Sequence, residues 1–305
     1  MNPAASSTDL QALTPAATLL RQRAPQSSDG GDTDGGLMIR QIAGILRLEF
    51  ARSLFNRRAL AVYFLALGPV ALAVIWAMSP LPRSFDGPAA ASTLFSGLFV
   101  PYVRVAIFLS AVFVFMNLFR AELLEQTLHY YVLTPVRREV LVAGKYLAAL
   151  LATMLVFLIS TVLMYIALAM PWGVGAFFGY LFDGPGLGNL LRYLLITALA
   201  CAGYGAVFLL VGQFFKNPII PGALLWGWEA INPFLPSMLQ KFSVIHYLQS
   251  LDPVPITDGL FAVVAEPTSP WLSVPGLLFF TALVLVGAGM RMRRMEIAIA
   301  DGGGA

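Results

Sequence analysis

Two ionisable side chains interrupt apolar sequence at places where chemistry or charge movement could occur. Glu229 stands in LLWGWEAINPFLP and Arg104 in FVPYVRVAIF. A charge inside a membrane-length apolar run is costly, so it marks either a polar step on a transport path or half of a structural ion pair. Glu229 lies eleven residues beyond Pro218, roughly 16 Å along a helix, and Arg104 sixteen residues before Arg120, roughly 24 Å. From adjacent helices the two could meet by snorkelling, and both readings stay open.

Other reactive residue types do not assemble into a catalytic or metal motif. His129 and His246 stand alone, and Cys201 is the one cysteine, so no disulfide framework or metal spacing exists. AGKY at 143–146 resembles the end of a phosphate-binding loop. That loop needs a glycine five residues before its last glycine and a Ser or Thr after the lysine; here Glu139 and Tyr146 hold those positions. No G-x-S-x-G elbow is present. The chain itself is therefore expected to be non-catalytic and to bind no cofactor or metal.

The most patterned polar stretch is LLEQTLHYYVLTPVRREVLVAGK, residues 123–145. Leu123, Leu124, Thr127, Leu128, Tyr131 and Val132 share one helix face, and Glu122, Glu125, Gln126 and His129 the other. Pro135 stops that helix and restricts Thr134 before it. The chain then turns through Arg137 and Arg138 toward Lys145. A short helix, apolar on one side, at the tip of a hairpin suits insertion into a groove on a partner.

The elements that carry these residues follow from composition. Of 305 residues, 58% are hydrophobic and 11% charged, against about a quarter charged in a soluble globule, which makes this an integral membrane protein. Six stretches reach spanning length: Ala59–Met78, Leu94–Phe119, Tyr146–Trp172, Tyr193–Phe215, Asn217–Leu239 and Trp271–Met290. Basic residues gather on one side: Arg40, Arg47, Arg52, Arg57, Arg58, Arg120, Arg137, Arg138, Lys145, Lys216, Arg291, Arg293 and Arg294. The other side has Arg83, Arg192 and Lys241. The bias places both termini in the cytoplasm. Residues 37–58 read as an in-plane amphipathic helix carrying Ile42, Ile45, Leu46, Phe50 and Leu54. Residues 1–36 read as a disordered tail, 37–295 as one transmembrane domain and 296–305 as a second tail. Asn232-Pro233 and Pro236 should break the fifth span near one end, ahead of an irregular segment over 240–270. In the fourth span, Ala198, Ala202 and Ala206 recur at four-residue steps, spacing that permits close helix approach.

The acidic start, Thr-Leu, TPVRR and GK of the 122–145 region resemble the permease subunit of type-2 ABC exporters. The interfacial helix, six spans and irregular segment before the last span extend that resemblance over about residues 37–295. It implies an all-α membrane fold with short external helices between spans five and six. It also implies a coupling helix, carried by Glu122, Glu125, Thr127, Leu128, Tyr131, Thr134, Pro135, Arg137 and Arg138, that docks on a separate ATPase. The partners implied are two ATPase copies with ATP and Mg, and a second permease copy or a sister permease, in the plasma (inner) membrane. No nucleic-acid partner is expected. Two other readings remain at this stage: an ion- or proton-coupled carrier using Glu229, and a membrane anchor that transports nothing.

Overall fold

The computed structural model describes residues 44, 46, 50, 59–80, 87–118, 138–215, 219–254 and 269–302. Among them the secondary structure is helical throughout, with no strand. The residues described before Ala59 are Gly44, Leu46 and Phe50. All three are helical, with Gly44 exposed and the two apolar residues half-buried; the rest of the expected in-plane helix over 37–58 lies outside the described residues.

The first spanning helix, α1 (Ala59–Met78), is apolar along its whole length and contains Pro69. A proline inside a spanning helix disturbs the turn before it, and neighbours must re-satisfy the backbone there. Here Ser160, from the third span, donates its hydroxyl to the Ala66 carbonyl. The second span is composite. It runs through α2 (Pro88–Pro101), a π-helical turn (Tyr102–Ile107) and α3 (Phe108–Phe115). Pro101 has no N–H to give, and the wider turn begins at the next residue, with the Tyr102 N–H shared between the Leu98 and Phe99 carbonyls.

The third span, α4 (Arg138–Ala169), ends in a 3₁₀ turn (Met170–Trp172) and leads to a short helix, α5 (Val174–Phe182). Sequence reading assigns no element to 173–192, because its glycines and Pro185 look like a loop. The exposed Val174, Phe178 and Phe182 of α5 instead continue the apolar surface of the spans. The fourth span, α6 (Gly186–Gly212), is the hub, with Ala200, Cys201, Tyr204, Ala206 and Phe208 all buried. Several of its glycines meet neighbouring helices closely. A Cβ on Gly203 would lie 2.9 Å from Val244, one on Gly205 2.7 Å from the Phe115 ring, and one on Gly212 2.8 Å from Met116 Cα. The last helix, α10 (Pro270–Gly302), is less enclosed.

Among the described residues, five helices are long and apolar enough to cross a membrane. The fifth stretch, Asn217–Leu239, is broken at the expected prolines, but its described helix is too short to count among those five. Its described part comprises α7 (Ile219–Ile231), a 3₁₀ turn (Asn232–Phe234) and α8 (Ser237–Gln240), followed by α9 (Val244–Gln249). Pro233 and Pro236 forbid continuation of the helix. At 1.5 Å per residue α7 is roughly 20 Å long, short of a ~30 Å hydrocarbon core.

Buried hydroxyls tie the bundle together. Tyr102 donates to the Phe157 carbonyl at 3.0 Å, and the Thr161 and Thr197 hydroxyls lie 3.1 Å apart. Tyr146 reaches the Ala202 carbonyl at 2.8 Å. In a medium without water, such bonds satisfy polar groups that would otherwise be costly. The two ends of the bundle differ. At one, Phe115 meets Tyr146 and Arg291 lies 4.4 Å over the Phe214 ring. At the other, Trp76 and Trp172 sit 6.2 Å apart.

Candidate functional site

The docking residues Glu122, Glu125, Thr127, Leu128, Tyr131, Thr134, Pro135 and Arg137 lie outside the described residues. Arg138 is the first residue of α4. What is described is the root of the hairpin they belong to. Phe115 near the end of α3 packs on Tyr146 with ring centroids 5.7 Å apart, and Met116 backs onto Gly212. The Tyr146 hydroxyl is tied to α6. The end of α3 and the first turns of α4 thus pack on each other and on the central helix.

Glu229 and Arg104 both sit on the inner scaffold, and each has a specific setting. Glu229, two residues before the end of α7, turns its carboxylate to the start of α9. It accepts from the Ser243 hydroxyl at 2.6 Å and from the Val244 and Ile245 N–H groups at 3.2 Å each. Those amides are orphan donors of a helix start, and no Ser243 side-chain cap serves them. An acid from another helix therefore does the work of an N-cap, with charge-assisted bonds. This partner was not legible in sequence, because the acid and its donors are separated by two turns and a proline break.

The start of α9 lies deep in the bundle. Val244 packs on Gly203 and Tyr247 on Gly276. Gly203 is nine residues from the end of α6, roughly 14 Å along its axis. Ten residues after Val244, the Val254 carbonyl accepts from Ser96 near the start of the second span. Segment 244–254 therefore climbs from mid-bundle to the end that carries Trp172, a re-entrant path.

Arg104 projects from the π-helical turn, the backbone class that recurs at functional sites. Tyr204 of α6, Glu229 and Asp252 all lie within its electrostatic reach. Sequence reading passes over Asp252, since SLDPVP has the composition of a surface turn. The fold turns it inward instead, to line a small cavity with Phe99, Val103, Ile196, Leu248 and Gln249. Burial pushes the Asp252 carboxyl up to about 7, with Arg104 pulling it down. No group of three or more His, Cys, Asp or Glu side chains that could hold a metal occurs among the described residues.

This bundle, with its multiple apolar spans, its clamped hairpin and its re-entrant segment, defines a polytopic membrane transport component. Residues 45–225, more than half of the chain, match the family described as ABC-2 family transporter protein, and the chain belongs to that family. The match runs from the amphipathic segment into α7 and ends before Glu229. No curated protein matches the chain.

Proposed function

We propose that the chain is the transmembrane half of an ATP-driven exporter, with ATP and Mg held by a separate ATPase subunit that docks on residues 122–138. The observation that carries this reading is the family match across 45–225, which includes the whole of that hairpin. The clamped root of the hairpin supports the mechanical part. ATPase closure displaces the tip, and the Phe115–Tyr146 contact passes the motion to the second, third and fourth spans. Two permease copies and two ATPase copies would surround a shared path. The excess of Lys and Arg on one face supports cytoplasmic termini and a plasma (inner) membrane location. In this reading α7 completes six passes together with the turn that follows it, and α8 and α9 are the short external helices. The chain performs no bond chemistry of its own.

The reading is tested by affinity purification from native membranes in mild detergent. A separate ATPase bearing a phosphate-binding loop should co-purify in about equal amount. Leu128→Asp should remove it while the permease still inserts normally, because a charge replaces the central apolar anchor of the docking face. Undiminished recovery of the ATPase with Leu128→Asp sinks the docking assignment; absence of any ATPase from the wild-type preparation sinks the exporter reading itself.

A further inference from the structure

Segment 219–254 presents two carboxyl groups to one guanidinium. Glu229 approaches Arg104 from α7, and Asp252 from beyond the end of α9. Among the described residues, Tyr193 of α6 also lies near Asp252 and Tyr204 of α6 near Glu229 and Arg104, while His246 of α9 is influenced by Lys241. None of the tyrosines can neutralise a second carboxylate. With both acids ionised the cluster keeps an excess negative charge in a low-dielectric interior, where it is expensive.

The hydrogen bonds show which acid carries the remedy. Glu229 accepts from three donors, which favours its ionised form. Asp252 is in the opposite position. Its Oδ1 is closed off from solvent and accepts from no group among the described residues, and the same holds for the Gln249 Nε2 donor nearby. The cavity they line has room for about one water molecule. Asp252 as a whole is half-buried, and at its closed-off oxygen an uncharged acid costs less than a carboxylate.

We propose that Asp252 is a proton-binding site, and that the proton it holds keeps the re-entrant segment 244–254 seated in the bundle. Loss of the proton leaves Glu229 and Asp252 competing for Arg104 at the two ends of α9, and the segment loosens. The sign follows from burial, which raises this carboxyl above the ordinary aspartate value. The stabilisation is fully present below the ordinary value of about 4 and is lost as pH rises through about 7.

The test uses the full chain in lipid nanodiscs. Infrared spectra recorded from about pH 5 to about pH 9 should show a protonated-carboxyl band that fades as pH rises. The band should be absent in Asp252→Asn and retained in Glu229→Gln. In parallel, hydrogen exchange of peptides covering 244–254, corrected for the intrinsic pH effect, should rise severalfold over that range in wild type. In Asp252→Asn, which mimics the neutral acid, it should stay low and flat. Loss of the band in Glu229→Gln with retention in Asp252→Asn would move the proton to Glu229 and overturn the proposal. An exchange profile unaffected by pH in wild type would overturn the seating role.

Discussion

Glu229 illustrates how a single buried charge can serve a backbone rather than another side chain. Its carboxylate takes up the first amides of α9, which have no cap of their own. Glu229→Ala should leave the Val244 and Ile245 N–H groups without a protein acceptor, at a cost of about 1.4 kcal/mol, in the range of a lost N-cap. Such a cost corresponds to roughly tenfold faster amide exchange across 244–249. Glu229→Gln keeps an acceptor oxygen and should show a smaller change. Equal exchange in Glu229→Ala and wild type would mean that α9 is held by its packing on Gly203 and Gly276 alone.

At the scale of elements, the bundle depends on places where helices come closer than a side chain allows. Gly212 is one such place against backbone, since a Cβ there would sit 2.8 Å from Met116 Cα and 2.9 Å from its carbonyl oxygen. Backbone cannot rotate away as a side chain can. Gly212→Ala should therefore separate α6 from the end of α3, at about 1–3 kcal/mol, the usual range for overpacking. The thermal unfolding midpoint in detergent should fall by several degrees. Gly287→Ala is the matched control, because its Cβ would meet only Leu210 at an ordinary 4.0 Å. A Gly212→Ala midpoint equal to that of the control would show that the hairpin root is compliant, and would weaken its role as a transmitter of force.

For the whole molecule, the charge bias predicts an orientation that labelling can read directly. Cys201 is buried and should not react, so the native chain offers a clean background. Arg83→Cys should be modified in intact cells by a membrane-impermeant maleimide, and Arg137→Cys only after permeabilisation. Labelling of Arg137→Cys in intact cells would invert the topology and place the docking segment on the wrong side for a cytoplasmic ATPase. The structure agrees with a two-ended molecule. Arg138, the end of α6 and Arg291 gather near one end, and the Trp76–Trp172 pair marks the other, as interfacial aromatics do.

The sequence by itself determined that this is a helical membrane protein, where most of its spans lie, and that Pro233 and Pro236 interrupt the fifth apolar stretch. Hydropathy, charge bias and proline chemistry are local properties, readable along one dimension. The resemblance of 122–145 to a coupling helix was legible for the same reason, and the family match over 45–225 accords with it. Only the tertiary structure decided that α7 stops short, that the second span turns through a π-helix at Arg104, and that Gly203, Gly205 and Gly212 meet neighbours too closely to admit a side chain. It alone joined Glu229 to residues 243–245 and turned Asp252 from an apparent surface turn into the interior. Those outcomes rest on which segments fold back against which, and no spacing within one segment encodes the neighbour that arrives from another.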